Sequence, residues 1–467
     1  MNDIIFREYD IRGVVGKDLM LDQAYDLGKA IVTYLAEQNP QEKTFVIGRD
    51  GRTHSLELTE CIQNAALDLG FDVIDVGLVP TPALYFAVHH LKLPCALEVT
   101  ASHNPKEYNG IKMWYVWGEK IQAIKNILRT KNFLPLAQQR GSIKKYDILS
   151  DYLAYLKNQF AHLQGLSLNV VIDCGNGPAG LIYPRLVEMM NWKDVTILFP
   201  EVDGNFPNHE ADPTVPENMQ DVARELATHD DRVFGIGLDG DCDRMSPMTK
   251  KGFLVPGDKL LALFAQTMLL KNPGATVICD IKSSSSLMEL LNKWHARPVL
   301  CPSGHSLIKV AMEAEQALLA GELSCHFFFK DRYFGFDDGI YASLRLFELL
   351  VQQDRSLEEL LAVFPHRESS PEIRLICKTE EEKREIVASV KETFSSRTDM
   401  ETITIDGIRA QAAYGWGLIR SSNTQPAISM RFESSTPEGL ARVKYDFYQA
   451  LQPYFDEQTL KEKIELP

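Results

Sequence analysis

The sequence predicts an α/β protein: three related α/β domains in series, each built on a mixed sheet, followed by a smaller C-terminal α+β domain. Three observations carry that expectation. A chain of 467 residues is longer than one hydrophobic core organises, so several domains of about 100–150 residues are expected. Three β-branched runs recur at domain-sized intervals, at Phe45–Asp50, Val170–Gly175 and Thr276–Ile281, each ending in a polar or glycine turn and leading into a helical pattern. Beyond the polar passage His366–Pro371, read as a linker, the chain turns rich in lysine and glutamate. Boundaries near 150, 252 and 368 follow, giving domains 1–150, 151–252, 253–368 and 369–467.

Each element has its own signal. Leu21, Ala24, Leu27, Ile31 and Leu35 keep helical period and predict a helix covering the first sheet. Cys95–Val99 is an apolar run that reads as a buried strand. Asp151–Leu156 opens a helix bridging the first and second domains. Leu260, Leu263 and Phe264, and later Leu344, Leu346, Leu349 and Leu350, repeat the helical spacing and predict further covering helices.

Composition narrows the function. With 45% hydrophobic residues, burial is ample, and 49 basic against 64 acidic residues leave a net charge of −15. That charge disfavours nucleic acid and anionic membrane as partners, so an anionic substrate needs a local cationic pocket. Eight scattered cysteines, without a C-x-x-C pair, predict reduced thiols in the cytoplasm. No secretory leader or spanning apolar stretch is evident, which predicts a soluble, unexported protein.

The chemistry concentrates in four loops. Thr100-Ala101-Ser102-His103-Asn104-Pro105 places a hydroxyl beside an imidazole at the end of the buried strand, and Asn109-Gly110-Ile111-Lys112 adds a cation nearby. Adjacent side chains diverge, so Ser-His alone makes no triad, and no G-x-S-x-G elbow accompanies it. Gly237–Arg244 sets Asp239, Asp241 and Asp243 two residues apart, which in an extended loop turns all three to one side and suits a hard cation such as Mg²⁺. An EF-hand is excluded, because Arg244 and Lys250 stand where glycine and glutamate are required. Glu322 and Ser324 offer an acceptor and a hydroxyl suited to adjacent sugar hydroxyls, and His305 and His326 are acid/base candidates near neutral pH. Arg420, with Ser422, Asn423 and Thr424, combines a bidentate fork with short polar donors that suit a phosphate dianion.

These loops resemble the signature loops of the α-D-phosphohexomutase family, in its phosphomannomutase/phosphoglucomutase branch. Phe6–Gly13 and Gly335–Tyr341 extend the resemblance over all four proposed domains. It implies interconversion of hexose 1- and 6-phosphates, of mannose or glucose, through a phosphoserine at Ser102 and a hexose 1,6-bisphosphate. Ser102, Asp239, Asp241 and Asp243 would hold Mg²⁺. Arg12, His103, Lys112 and His326 would assist transfer, and Tyr9, Arg244, Lys282, His305, Glu322, Ser324, Arg420, Ser422, Asn423 and Thr424 would contact substrate. A monomer or homodimer acting on small sugar phosphates is expected. Cys242 and Cys325 depart from usual glycines, and Met113–Trp117 is unusually aromatic for the family.

Three other readings stand beside this one, the first a non-catalytic relative acting as a binding or structural protein, which the presence of all the catalytic positions argues against. A metal-dependent sugar phosphatase would use the same serine but lose the phosphoryl group to water. Gly175-Asn176-Gly177-Pro178-Ala179-Gly180 matches G-x-G-x-x-G after a strand and proposes a nicotinamide oxidoreductase, although Pro178 is awkward where N–H groups should meet pyrophosphate.

Overall fold

The protein is described from a computed structural model covering residues 1–229, 232–422 and 427–465, so Asn423 and Thr424 lie outside the described residues. It forms two compact units, Met1–Lys271 with Leu318–Leu361, and Asn272–Ala317 with Ala362–Pro467.

The first unit opens with strand β1 (Ile11–Val14), helix α1 (Ala24–Gln38), β2 (Thr44–Arg49), α2 (Ser55–Asp68), β3 (Asp72–Leu78), α3 (Thr81–Leu91), β4 (Ala96–Val99), β5 (Tyr108–Met113), α4 (Glu119–Thr130) and β6 (Ile143–Lys145). They build one sheet in the order β1-β5-β4-β2-β3-β6. Strands β4, β2, β3 and β6 run parallel, while β5 runs antiparallel to both its neighbours, β4 and β1. Helices on the sheet faces bury consecutive residues of the parallel strands, which is why Phe45–Ile47 is an apolar run rather than an alternation and Ala96–Val99 is buried throughout, apolar but for Glu98. Helix α1 lies directly on α2, because Gly28 has no Cβ to meet Ala65 Cβ and Ile62 Cα, both 2.9 Å from where one would stand.

The path through this sheet fixes the site. From β2 the chain crosses by α2 to β3 on one side, then returns by α3 to β4 on the other side of β2. Loops leaving β2 and β4 therefore diverge and open a crevice at their carboxyl ends, the place where open α/β sheets bind ligands.

The second domain repeats this path. Helix α5 (Ile148–Gln159), capped by Asp147, leads to β7 (Ser167–Asp173), α6 (Tyr183–Met190), β8 (Lys193–Leu198), α7 (Gln220–Ala227), β9 (Phe234–Leu238) and β10 (Met245–Met248). Its sheet order, β10-β9-β7-β8, matches β5-β4-β2-β3, with the last strand again antiparallel. Helix α8 (Gly257–Leu269) precedes a third pass in the same chain order: β11 (Thr276–Asp280), α9 (Ser285–Lys293), β12 (Arg297–Cys301), α10 (His305–Ala314), β13 (Leu319–Gly321) and β14 (Phe327–Phe329). Strands β11 and β12 are parallel, and β13 and β14 antiparallel. Helices α11 (Gly339–Gln353) and α12 (Leu357–Leu361) complete the first unit.

The second unit joins β11 through α10 to the C-terminal domain. That domain contains β15 (Glu368–Ser369), β16 (Ile373–Ile376), α13 (Glu380–Ser395), β17 (Glu401–Ile403), β18 (Ile408–Ala412), β19 (Gly415–Ser421), β20 (Ala427–Ser434), α14 (Pro437–Leu451) and α15 (Glu457–Ile464). Its antiparallel sheet runs β15-β20-β19-β18-β17, with β16 also on β20, and α13 and α14 pack on it, giving the expected α+β unit. The passage expected to be a linker is instead part of this sheet. Glu368 and Ser369 pair with Ser434 and Glu433, and the Ser370 N–H donates to Phe432 O at 2.9 Å. Polar side chains suit a short strand with one wet face, so composition alone suggested a loop.

Candidate active site

The crevice between β2 and β4 holds the serine. Ser102 follows the buried β4 and is itself 2% exposed, with φ at 50°. A left-handed conformation costs a non-glycine residue about 1–2 kcal/mol, so the surrounding structure must impose it. It turns the Ser102 Oγ–H onto Asp239 Oδ2 at 2.8 Å and leaves Oγ 3.2 Å from His103 Nδ1. Adjacent side chains were expected to diverge, and the left-handed turn is why these two converge. Burial, then Arg244 and Arg12, push the His103 pKa well below its ordinary value, so the ring is uncharged.

Asp239, Asp241 and Asp243 sit at the equivalent place in the second domain, between β9 and β10. The loop is a tight turn rather than the extended segment expected. The Cys242 N–H donates to Asp239 O at 3.0 Å, and Cys242 is left-handed with φ 66°. The turn nevertheless gathers one oxygen from each carboxylate within 4.8 Å of the others, all three groups being buried. Thr81 Oγ1 and Lys112 Nζ donate to Asp241 Oδ2 at 2.7 and 2.6 Å, and Lys112 also pairs with Asp243. Burial, then Asp243 and Asp241, raise the Asp239 pKa well above the ordinary value. Burial opposes ionisation of Asp243 as well, but Lys112 and His326 hold it ionised. Asp241 Oδ1 is buried without a hydrogen-bond partner. An all-oxygen carboxylate set with excess negative charge and an orphaned oxygen fits a hard divalent cation.

The β13–β14 turn supplies the third wall. Its Cys325 N–H donates to Glu322 O at 3.0 Å and Cys325 has φ 66°, so Glu322-Leu323-Ser324-Cys325-His326 traces the same turn as Asp239–Asp243. His326 lies with Nε2 3.3 Å from Asp243 Oδ1 and Nδ1 3.0 Å from Glu322 Oε2, and Ser324 Oγ is 3.2 Å from Nδ1. Burial works against its charge, yet Asp243 and Glu322 outweigh it and raise the pKa to about 9. An imidazolium between two carboxylates can donate a proton but is a poor base at neutral pH. Arg244 Nε lies 3.2 Å from His326 Nε2. With that nitrogen protonated, the contact is a packed like-charge neighbour rather than a donor bond.

Arg12 on β1 donates to Asn104 Oδ1 at 2.6 Å and pairs with Asp10, while its buried Nε has no hydrogen-bond partner. The Arg244 N–H donates to Asp239 Oδ1 at 3.1 Å. Tyr9 precedes β1 and is half-buried. In this unit Ser102, His103, Arg12, Lys112, the three aspartates, Arg244, Glu322, Ser324 and His326 therefore form one connected cluster.

Sequence reasoning missed the frame beneath it. Asp50 is fully buried at the end of β2 and accepts from Ser55 Oγ at 2.6 Å, Thr100 Oγ1 at 2.7 Å and Arg52 Nε at 3.1 Å. Thr100 Oγ1 in turn accepts from the Ser102 N–H at 2.9 Å. The signal was present: Arg49-Asp50-Gly51-Arg52 is a charged turn at the carboxyl end of a buried strand.

In the second unit, Arg420 on β19 donates from Nε to Asp406 Oδ2 at 2.6 Å, and the Ser303 N–H reaches the same oxygen at 3.2 Å. Lys383 Nζ donates to Ser422 O at 2.8 Å. Lys282 Nζ lies 3.4 Å from Glu372 Oε2 and 3.7 Å from Asp280 Oδ2. His305 begins α10, its Nδ1 3.4 Å from Lys309 Nζ. Asp406, Glu372 and Asp280, none read from the sequence, thus partner the expected phosphate-binding cations.

In Gly175–Gly180, Gly175 takes a positive φ of 53° and Gly180 serves packing. A Cβ on Gly180 would come within 1.7 Å of Pro200 O, and Pro178 opens a 3₁₀ turn over Pro178–Leu181 where a dinucleotide fold would start an α-helix. The aromatic run packs inward: the Trp114 ring lies 4.9 Å from Tyr85 and 6.2 Å from Phe336, centroid to centroid.

A serine beside a cation cradle, at the switch point of a mixed α/β sheet, defines a phosphotransferase. The comparisons with known proteins make this specific. Four domain descriptions match in order: Phosphoglucomutase/phosphomannomutase alpha/beta/alpha domain I over residues 3–132, domain II over 150–252, domain III over 256–367, and the C-terminal domain over 372–450. A phosphomannomutase/phosphoglucomutase of Pseudomonas syringae pv. tomato is 44% identical over 96% of this chain and 95% of its own. A phosphoglucomutase of Neisseria gonorrhoeae is 40% identical, covering 95% of each. The crystal structure of a phosphoglucomutase/phosphomannomutase family protein from Burkholderia thailandensis superposes with a TM-score of 0.87 at 36% identity, covering 97% of this chain and 98% of that one. The chain belongs to the phosphoglucomutase/phosphomannomutase family and is a mutase.

Proposed function

We propose that this mutase interconverts the 1- and 6-phosphates of both mannose and glucose, through a phosphoserine at Ser102 and a hexose 1,6-bisphosphate intermediate. The observation that carries the reading is Ser102 Oγ, 2.8 Å from Asp239 in a crevice walled by the cations Arg12, Lys112 and Arg244. The names of the relatives supply the two sugars. Mg²⁺ would be held by Asp239, Asp241, Asp243 and a phosphate oxygen on Ser102, and when bound it offsets charge on the transferring phosphoryl group.

The protein's own groups divide the remaining work. Arg12 orients the phosphoryl group through its planar fork. Lys112 neutralises the carboxylates on the side facing β5. His103, kept neutral, hydrogen-bonds the serine oxygen, and His326, charged at rest, donates its proton to the sugar oxygen that leaves in one half-reaction and, once neutral, takes the proton of the sugar hydroxyl that enters in the other. Glu322 and Ser324 contact the sugar's 3- and 4-hydroxyls, which the two hexoses share. Tyr9, Lys282, His305, Arg420, Ser422, Asn423 and Thr424 bind the substrate and its non-reacting phosphate.

Domain boundaries near 150, 252 and 368 belong to the same proposal, supported by family matches that end at 132, 252 and 367. So do a monomeric or homodimeric state, a cytoplasmic location, and the absence of nucleic-acid or membrane partners. No helix of the described residues is long and apolar enough to cross a membrane. The deciding assay supplies glucose 1-phosphate and mannose 1-phosphate with Mg²⁺ and a trace of the bisphosphate. Formation of both 6-phosphates supports the reading, and net phosphate release without isomerisation replaces it with a phosphatase.

A further inference from the structure

Arg52 bonds to no side chain assigned to the reaction, yet every one of its five side-chain N–H donors is bonded. Nε donates to Asp50 Oδ2 at 3.1 Å, Nη1 to Pro105 O and Tyr108 O at 2.7 and 3.1 Å, and Nη2 to Ser102 O and Asn104 O at 2.7 and 2.6 Å. The side chain has no exposed surface. Four of those five acceptors are backbone carbonyls of one segment, 102–108, and the first belongs to the serine itself. A carbonyl oxygen held in place fixes the peptide plane that follows Ser102, and with it the left-handed turn that aims Oγ at Asp239. The Ser102 N–H is fixed separately, by Thr100 on Asp50. Arg52 and Asp50 thus hold Ser102 from both of its peptide bonds.

A segment of the second domain bears on the same arginine. The Phe206 ring centroid lies 5.1 Å from the Arg52 guanidinium carbon. Backbones also meet: a Cβ on Gly204 would stand 2.5 Å from Gly51 O and 2.6 Å from Arg52 Cα, and a Cβ on Gly51 would stand 2.2 Å from Val202 Cγ1. Neither glycine has a positive φ, so both are required by proximity rather than by backbone conformation.

We propose that Arg52 is a positioning residue for phosphoryl transfer, holding Ser102 in its reactive conformation, and that the 202–206 segment latches it in place. The inference rests on the mutase reading above. A lysine has charge but three donors and no planar fork, so it cannot reach four carbonyls and a carboxylate together. The Ser102 oxygen would then wander from its line toward the acceptor, which slows transfer without weakening sugar binding.

The test compares wild type, Arg52→Lys and Gly204→Ala in the full chain, with Mg²⁺ and glucose 1,6-bisphosphate. Turnover is divided by the number of serines that take up phosphate, so that misfolded protein does not count. Arg52→Lys should lower kcat per competent site at least tenfold, while KM for glucose 1-phosphate and the Mg²⁺ dependence stay within threefold. Gly204→Ala changes no charge and no donor, and should show the same split with at least a threefold loss. A per-site kcat within twofold of wild type in Arg52→Lys overturns the proposal, whatever its melting temperature. If Arg52→Lys does not fold, an unchanged per-site kcat in Gly204→Ala overturns it. A wild type that isomerises no hexose phosphate fails the mutase reading instead, an outcome visible before either variant is made.

Discussion

Glu98 carries both carboxyl oxygens into the first sheet, fully buried and without a hydrogen-bond partner. Burial, then Asp50 and Asp241, raise its pKa well above the ordinary value, which favours the protonated acid. A buried unpaired polar group costs about 1–3 kcal/mol. Glu98→Met is therefore expected to raise the melting temperature by at least about 2 °C, since each kcal/mol moves a domain of this size by a few degrees. A lower melting temperature by scanning calorimetry would show that the carboxyl is partnered. Asp241 is the opposite case, a buried carboxylate set among the proposed metal ligands. Asp241→Asn should weaken Mg²⁺ activation and lower turnover by about 100-fold, read from rate against Mg²⁺ concentration. Residues such as Ser102 and the three aspartates were legible in the sequence because their spacing is local. Thr81 and Glu372 were not, because each acquires its meaning from a partner more than 45 residues away, and Asp50 showed only as a charged turn whose link to Thr100 is equally remote.

At the scale of elements, the loops at Asp239 and Glu322 are one turn used twice. Each closes with a bond from a left-handed cysteine N–H back to the first acidic carbonyl, and each then presents a group to the other: Asp243 faces His326. The sequence shows the parallel, D-x-D-C-D against E-x-S-C-H, but hydrophobic periodicity says nothing of φ. That is why an extended loop was expected where a turn stands. Glycine avoids the left-handed penalty that alanine pays, and loses part of the advantage to its freer unfolded chain. At both positions the glycine variant should therefore be more stable than the alanine variant by about 0.5–1 kcal/mol, since both lose the sulfur equally. Urea midpoints of Cys242→Gly against Cys242→Ala, and of the same pair at 325, check this; equal midpoints would mean that the backbone is not strained there.

At the scale of the molecule, three chain passes were legible because the strand-and-turn grammar repeats at domain spacing. The grouping into two units was not, because it cuts the third pass between α10 and β13, where the sequence shows no break. In the second unit, Lys282 joins Glu372 of the C-terminal domain, and its charge lowers the Glu372 pKa from 4.5 to about 2, with a bond from Ser429 Oγ assisting. Because the folded value is depressed, the stabilisation is complete above pH 4.5 and is lost as pH falls toward 2. Glu372 is partly exposed, so its share is about 1–2 kcal/mol after solvent screening. Glu372→Gln should flatten the acid limb of stability over that window, measured by urea unfolding at stepped pH; an unchanged limb would remove the pair from the account. In the same unit, Arg420→Lys keeps the charge and loses the fork, so KM should rise about tenfold for both hexose 1-phosphates alike. A rise for only one sugar would contradict a clamp that reads phosphate.

The first unit draws its last segment, Leu318–Leu361, from beyond an excursion of the chain into the second. That segment includes α11, buried from Gly339 to Leu349, which packs on α8, β9 and β10. On the ribosome, residues 1–271 emerge with the slot for this helix vacant and its apolar lining open to water. At about 5–20 residues per second, the missing segment arrives only after some 5–18 s. During that interval the half-built unit is a natural client for a chaperone, and synonymous codons between Asn272 and Leu361 would set how long it waits.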